Sequence, residues 1–154
     1  MPVVGTPRVF DKKFLFQFHI DGFGWAGFTK VSELKSTTAE IKHYEGGVLL
    51  PNKSAGRSEY ADLTCERGAT VGDVDMNVWY SMVIAAPANL GVKEVAYKRH
   101  GDLVQLDRDG EVLKRWSVFG LWPKEYTAGE WDNNSDENVI EKLVLVYDYF
   151  IQTK

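Results

Sequence analysis

The chain of 154 residues has a single cysteine, no long apolar run and no block of basic residues. One cysteine, Cys65, excludes an internal disulfide and any C-x-x-C zinc or redox site. A helix that crosses a membrane needs about 20 consecutive apolar residues, and no such run is present. The formal net charge of −4 argues against free binding to nucleic acid, which requires a basic surface. We therefore expect neither a membrane partner nor a specific nucleic-acid partner.

The start of the chain, "MPVVGTPRVFDKK", lacks the basic region, long apolar centre and small-residue cleavage site of a signal peptide. The length and the 44% content of hydrophobic residues fit one globular domain with its own core. We expect a single domain over residues 1–154, made and kept in a cytosol.

Catalytic motifs are also missing. His19, His43 and His100 are scattered along the chain, outside any H-x-x-x-H pair or serine elbow. The sequence predicts neither an enzyme nor a cofactor-binding protein.

The segment "WDNNSDEN" invites a calcium interpretation, because Asp132, Asn134 and Asp136 match three ligand positions of an EF-hand loop. Glu137 stands where that loop needs glycine, and Leu143 stands where it needs a bidentate glutamate. A solvated turn without a metal is the better interpretation.

Gly22, Gly24 and Gly27 in "IDGFGWAGF" form the pattern G-x-G-x-x-G, which binds dinucleotides only between a strand and a helix. The preceding "FLFQFHI" alternates as a strand, with Phe14, Phe16, Phe18 and Ile20 on one face. The following "FTKVSELKSTTAEIKHYE" favours further strands rather than a helix. The glycines therefore indicate a hairpin connection.

One segment, "ATVGDVDMNVWYSMVIAAPANLG", predicts a helix of about 14 residues. Thr70 and Asp73 have the spacing of a capping box, and Pro87 marks the end. The predicted apolar stripe consists of Val74, Val78, Met82, Trp79, Val83 and Ala86.

The rest of the chain favours strands, including a hairpin around Asp109-Gly110. The final strand carries large side chains on both faces over Glu141–Phe150, which indicates either a partner on one face or burial on both. The predicted fold is mostly β (α+β): a β-sandwich or small barrel of two packed antiparallel sheets with one packed helix.

The segment Glu45–Glu59, "EGGVLLPNKSAGRSE", predicts a long protruding loop with an apolar centre. Its length and its "VLL" group favour a docking role. The candidate residues for contacts between subunits or rings are Glu45, Gly46, Gly47, Val48, Leu49 and Leu50.

Arg67 is a further candidate for the contact between subunits. It precedes the N-terminus of the predicted helix, whose dipole disfavours a nearby cation. We therefore expect a carboxylate partner for Arg67.

Several segments together resemble the tail tube proteins of contractile-tailed bacteriophages. They are, in order, "FQFHIDG…GFTKVSEL", "YEGG….LPN", "LTCERGATVGDVDMNVWY", "LDRDGEVLKRWSVFGLWPKEYTA" and "NVIEKLVLVYDYF". Similar tubes occur in phage-tail-like bacteriocins and extracellular contractile injection systems, and the type VI secretion tube protein shares the fold. The resemblance spans nearly the whole chain. It implies Glu45 as the candidate carboxylate partner of Arg67, because the family pairs these two motif residues in its sequence pattern.

The resemblance implies a structural protein whose six copies form a ring with a β-lined channel, and whose rings stack into a tube. Its implied partners are further copies of itself, a sheath protein, baseplate or hub and terminator proteins, and a tape measure protein in the lumen. DNA or an effector would pass through without specific binding. The implied location is the virion or injection particle, after assembly in the bacterial host cytoplasm.

Six copies at −4 give 6 × −4 = −24 per ring, and like-charge repulsion would keep DNA off the channel wall. The candidates for acidic side chains that face the lumen are Glu40, Asp73, Asp75 and Glu141. A specialised initiator or terminator ring would share the fold. The alternative from a different class is a monomeric β-barrel module that binds a small apolar ligand.

Overall fold

The computed structural model describes residues 10–22, 24–25, 27–69, 74–85 and 97–154. Within these ranges the elements are β1 (Phe16–Ile20), β2 (Gly24–Trp25), β3 (Lys30–Val31), β4 (Ser36–His43), β5 (Asn52–Tyr60), β6 (Leu63–Gly68), α1 (Asp75–Ala85), β7 (Arg99–Leu106), β8 (Val112–Thr127), β9 (Ile140–Val146) and β10 (Tyr149–Gln152). The mostly β prediction is confirmed.

Strand β8 is the centre of the fold because it belongs to two sheets. The strand order is β2-β1-β7-β8-β9-β6-β3, and β10 also pairs with β8. The first part of β8 pairs with β7 and β10, whereas Trp122–Thr127 pair with β9. All of these pairings are antiparallel. The long strand therefore joins one sheet to the other.

The two sheets pack on each other around one core. Phe18 and Ile20 of β1 share this core with Leu63 and Cys65 of β6, although three strands separate β1 from β6 in the sheet order. Such a contact requires the sheet to fold over at β8. The end strands β2 and β3 do not pair with each other in the described ranges, so these strands form two packed layers and not a closed barrel.

The glycine-rich opening is a hairpin connection, as predicted. Ile20 pairs with Gly24 and His19 with Trp25, so β1 turns directly back into β2. Gly22 has a φ of 89°, a conformation that glycine adopts without steric cost. A strand follows the pattern rather than a helix, so the context of a dinucleotide site is absent from this hairpin.

The Asp109-Gly110 hairpin is also confirmed, with a longer connection than a two-residue turn. Asp107 and Glu111 are joined by a backbone hydrogen bond of 2.8 Å, and Gly110 N donates to Asp107 O. Gly110 has a φ of 83°. This is a three-residue hairpin loop with a left-handed glycine.

The final segment forms two strands, which corrects the single strand predicted from its alternation. β9 pairs with β6 and with the second part of β8, whereas β10 pairs with Trp116–Phe119. Gly120, with a φ of 72°, bends β8 between these pairings, and the chain opposite it must turn at Tyr147-Asp148. In β9 the side chains of Glu141, Leu143 and Leu145 are buried.

Helix α1 has 11 residues and packs on β8. Met76 and Trp79 are buried, and the Trp79 indole Nε1 donates to Tyr97 O at 2.6 Å. Val74 and Val78 are exposed, so the predicted stripe is wrong at these two positions. The predicted caps Thr70 and Asp73, and the predicted end at Ala86 and Pro87, lie outside the described residues.

The segment 131–138 is a polar turn. Asn134 N donates to the Asp132 carboxylate at 3.0 Å, and Ser135 N donates to Asp132 O. Among the described residues, no group of three His, Cys, Asp or Glu side chains is arranged to hold a metal ion. Over the same ranges, no helix combines the length and apolar character that a membrane crossing requires.

Candidate interface between subunits

Strands β4 and β5 form a separate two-stranded ribbon. Every residue of β4 is exposed, and in β5 only Gly56 and Tyr60 are half-buried. Both faces of the ribbon are therefore open to solvent. A two-stranded ribbon is at best marginally stable by itself in water, so contact with a further surface would stabilise this element.

The ribbon corrects the prediction of a loop over Glu45–Glu59. Residues 52–60 are strand, and their register with β4 runs from Ser36↔Tyr60 to His43↔Asn52, with an irregularity between Thr38 and Glu40. The sequence of β5 is small and polar, because neither of its faces lies in a core. The connection itself is limited to residues 44–51.

The base of the ribbon is fixed to the core. The Tyr60 ring lies 5.9 Å from the Tyr147 ring and 5.4 Å from the Phe150 ring, measured between centroids. Ala61 N donates to Lys35 O at 3.0 Å. The ribbon therefore leaves the core in a defined direction.

The tip of the ribbon, residues 46–51, carries uncharged side chains. Leu49 is 97% exposed, Leu50 is 79% exposed and Val48 is also exposed. The turn is closed by Val48 N donating to Glu45 O at 3.2 Å, and Gly47 has a φ of 82°. Gly46, Gly47, Val48, Leu49 and Leu50 are thus brought together at the tip, and Glu45 directly precedes it. An apolar group held this far from the core is typical of a contact site.

The two faces of the ribbon differ in charge. Glu40 lies 3.7 Å from Lys42 Nζ and 3.9 Å from Lys53 Nζ, so one face carries two cations for one anion. On the other face, a Cβ at Gly56 would stand 3.2 Å from Ile41 Cγ1 and 3.1 Å from Ala39 O. On that face Ile41 and Ala39 lie against Gly56, Ser54 pairs with Ile41, and none of these side chains is charged.

Arg67 lies in a buried ionic cluster within the subunit. It pairs across the sheet with Glu141, and its Nε donates to Glu141 Oε2 at 3.1 Å. Its Nη2 and Nη1 donate to the two carboxylate oxygens of Asp75 at 2.5 Å and 3.3 Å. Asp75 lies in the first turn of α1, where the helix dipole favours a negative charge. The cluster ties α1 to β6 and β9.

The expectation of a carboxylate partner for Arg67 is confirmed, but the proposed partner Glu45 is replaced by Asp75 and Glu141. Glu45 lies in the turn at the tip of the ribbon, whereas Arg67 is buried in the two-layer body. The strand alternation Leu63, Cys65, Arg67 places Arg67 on the buried face of β6. This alternation, visible in the sequence, indicates that the partner of Arg67 lies inside the same subunit.

Electrostatics keep Arg67 and Asp75 charged. Burial by itself would lower the pKa of Arg67, but the hydrogen bonds that it donates to Asp75 and Glu141 raise that pKa above its ordinary value. Burial would raise the pKa of Asp75, but the Arg67 guanidinium holds that pKa below its ordinary value. Both partners therefore stay ionised at neutral pH.

The four candidates for lumen charge have different positions. Glu141 is buried and bonded to Arg67, and Asp75 is bonded to the same side chain. Their charges are compensated by Arg67 inside the subunit, and their assignment to the channel wall stays a prediction. Glu40 is exposed beside two lysines, and Asp73 lies outside the described residues.

The described structure is a two-layer β body that leaves one ribbon and its apolar tip exposed, which is the kind of surface that assembling proteins use. Comparison with known families agrees: residues 12–151 match the model described as T4-like virus tail tube protein gp19. The chain belongs to this tail tube family. No curated protein sequence matches it.

Solved structures share the fold. A chain of the PVC sheath/tube terminator, from an extracellular contractile injection system in the extended state, has a TM-score of 0.80 at 21% identity, covering 99% of this chain and 100% of that one. A chain of the PVC sheath-tube complex has a TM-score of 0.78 at 21% identity, covering 97% and 93%. Hcp1 from Flavobacterium johnsoniae has a TM-score of 0.53 at 15% identity, covering 91% and 95%.

Proposed function

We propose that six copies of this chain form a ring, and that the rings stack into the inner tube of a contractile tail or injection particle. The observation that carries the proposal is the β4–β5 ribbon, which is exposed on both faces and ends in an apolar tip. Membership of the tail tube family supports it. The role is structural, without catalysis or a cofactor.

An assembly covers the ribbon faces and edges that are exposed in the single subunit. Strands with unpaired edges bind further strands, and apolar groups bind apolar surfaces. A ring of identical copies covers each ribbon with the neighbouring subunit, and a stack of rings covers each tip. Heterologous contacts of this kind produce closed rings when the rotation closes, and a tube when the rings repeat along an axis.

The proposed partners follow from a tube inside a larger particle: a sheath protein outside, baseplate or hub and terminator proteins at the ends, and a tape measure protein in the lumen. Similar structures are described as a sheath-tube complex, a sheath/tube terminator and a baseplate. The cargo would be DNA or an effector, which passes without specific binding. The particle would be assembled in the cytoplasm of a bacterial host.

The charge of the channel wall is a separate proposal. It rests on the formal −4 of each chain, or 6 × −4 = −24 for a ring. Glu40 lies beside Lys42 and Lys53, so an acidic wall would have to draw on other exposed carboxylates. The surface potential of an experimental ring structure tests this proposal, and a predominantly positive lumen contradicts it.

Particle size tests the proposed assembly. Purified protein is examined by light scattering and negative-stain microscopy over a range of concentrations. We expect rings or tubes, with a particle at least six times heavier than the 17.4 kDa chain. A particle of 17.4 kDa at every concentration contradicts the proposal and favours a monomeric ligand-binding module.

A further inference from the structure

A cleft opens between the two layers at the edge where β1 and β3 lie. These two strands are not paired with each other within the described ranges. The cleft has a volume of about 570 Å³, and its half-buried apolar lining consists of Phe16, Val31, Leu103 and Trp116. Three of these side chains come from β1, β7 and β8, and Val31 comes from β3. A cleft of this size and character can receive an apolar group.

Two lysines line the same cleft. Lys13 precedes β1 and Lys30 lies in β3, and both are exposed. Glu66 lies across from Lys30 in the sheet, but its carboxylate is paired with Lys142 at 3.5 Å. Among the described residues, no carboxylate lies within ion-pair distance of Lys13 or Lys30. Glu33 also lines the cleft, so the lining has two cations for one anion and suits an anionic partner.

The connection between β8 and β9 has the complementary character. Trp131 is 74% exposed, and it is flanked in sequence by the exposed carboxylates of Glu130 and Asp132. Residues 129–138, which we call the tryptophan loop, contain four carboxylates and neither lysine nor arginine. The loop has an ordered turn, since Asn134 N donates to the Asp132 carboxylate at 3.0 Å. A preformed loop loses little conformational entropy on binding.

The tryptophan loop and the cleft lie at opposite edges of one sheet layer. A row of directly paired residues crosses this layer from β8, which leads into the loop, to β3: Thr127, Lys142, Glu66 and Lys30. The row spans three strand spacings, or roughly 14 Å. Because Trp131 is exposed, it does not fill the cleft of its own subunit. A closed ring requires two different surfaces on different sides of each subunit, and these two surfaces have that arrangement.

We propose that Trp131 of one copy inserts into the cleft of the neighbouring copy in a ring, with Glu130 and Asp132 facing Lys13 and Lys30. The inference rests on the proposed function, because it names one contact between neighbouring copies. The contact is separate from the β4–β5 ribbon. Tryptophan is typical of the centre of protein contacts, where its ring fills a pocket and other groups exclude water around it.

Charge selects Trp131 over other exposed apolar side chains as the group that enters the cleft. Leu49 and Leu50 at the ribbon tip have no charged residue between Gly46 and Pro51, so they offer no anion to the two lysines. Phe14 is 69% exposed, but it directly follows Lys13. Its insertion would bring a further cation to the cleft and would therefore be opposed by like-charge repulsion.

A charge exchange tests the contact. The cleft variant carries Lys13→Glu and Lys30→Glu, and the loop variant carries Glu130→Lys and Asp132→Lys. All four positions are exposed, so each variant should keep the circular dichroism spectrum of the wild type. We expect each variant by itself to lose rings, because like charges then face each other at every contact. Light scattering and negative-stain microscopy measure the loss.

An equal mixture of the cleft variant and the loop variant should restore rings. In a ring of six in which the two variants alternate, every contact again joins opposite charges. The loop variant carries an affinity tag, so that its presence in the assembled fraction can be followed. We expect both variants in that fraction.

The matched control is Lys35→Glu with Arg108→Glu. It changes the net charge as much as the cleft variant does, at two exposed positions outside the cleft and the tryptophan loop. This control should form rings by itself. It should not bring the tagged loop variant into the assembled fraction, because the lysines of that loop would still face Lys13 and Lys30.

Trp131→Ala tests the apolar part of the contact at a side chain whose exposure makes it unimportant for folding. Removal of a tryptophan at the centre of a contact should raise the protein concentration at which rings form by about 30-fold. Leu113→Ala, at an exposed apolar position on β8, is the control and should leave this concentration unchanged. Trp131→Ala also decides the question if a charge variant does not fold.

Rings formed at the wild-type concentration by Trp131→Ala overturn the inference and leave the proposed function standing. The inference is also overturned if the folded cleft and loop variants do not form rings when mixed, or if the Lys35→Glu and Arg108→Glu control loses rings equally. A wild-type chain that stays monomeric overturns the proposed function, and this inference with it.

Discussion

Arg67 and Glu141 face each other directly across the β6–β9 pair, with Arg67 Nε 3.1 Å from Glu141 Oε2 and both side chains buried. The same guanidinium holds both oxygens of Asp75 at the start of α1. One side chain thus joins two strands to the helix. Because buried charges need compensation, the cluster constrains how α1 sits on the sheet.

Loss of Arg67 should destabilise the subunit. Arg67→Met leaves Glu141 buried without its cation, and breaking a buried pair in this way costs about 3 kcal/mol of the free energy of unfolding. Urea denaturation followed by circular dichroism measures the change. Arg57→Met, on the exposed ribbon, is the matched control and should change the stability little. Equal stability of the Arg67 and Arg57 variants would show that the cluster contributes nothing.

The cluster should also make the free energy of unfolding depend on pH in the acidic range. The pKa of Asp75 in the folded state lies below its ordinary value of 3.8. A lowered carboxylate pKa contributes stability that is present above the unfolded-state value and is lost as the pH falls through the folded-state value. We expect wild type to lose stability below about pH 4 more steeply than Asp75→Asn. Urea titrations at neutral pH and at several acidic pH values measure the free energy of unfolding of both proteins. Parallel pH dependence in wild type and Asp75→Asn would contradict a lowered pKa of Asp75 in the folded state.

The bend in β8 should require Gly120. Its φ is 72°, and a Cβ at this position would collide with the Asp148 carboxylate. Gly120→Ala should therefore destabilise the fold by about 1–3 kcal/mol. Gly46→Ala is the control, because a Cβ there meets nothing within 4 Å. Thermal unfolding measures the stability of the two variants. If Gly120→Ala is as stable as Gly46→Ala, position 120 does not require glycine.

The ribbon tip should matter for assembly and not for folding. Leu49→Asp introduces a charge at a side chain that is almost fully exposed in the subunit, so the circular dichroism spectrum and the urea midpoint should stay unchanged. Rings or tubes should be lost, because a charge buried in an apolar contact is costly.

Particle counts by negative-stain microscopy measure the loss of assembly in Leu49→Asp. Leu113→Asp, at an exposed position on β8, serves as the control for adding a charge elsewhere on the surface. If the Leu49→Asp variant forms normal tubes, the tip makes no contact that assembly requires.

The sequence by itself determined the class of fold and several of its local features. Alternation in "FLFQFHI" predicted one face of Phe14, Phe16, Phe18 and Ile20. Phe18 and Ile20 are buried, whereas Phe14 lies before the start of β1 and is 69% exposed. Gly22 and Gly110 marked two hairpins, since glycine accepts the positive φ that each turn uses. These features depend on nearest neighbours in the chain, so they can be read from a short window.

The tertiary structure decided the features that depend on pairing between segments distant in sequence. Residues 52–60 looked like a loop because neither face of β5 meets a core, and only pairing with β4 makes them a strand. The division into β9 and β10 follows from the bend of β8 at Gly120, which lies far away in sequence. Asp75 and Glu141 became the partners of Arg67 because the helix and β9 meet β6 in space. Charge and periodicity within a segment carry no information about which distant segment will face it.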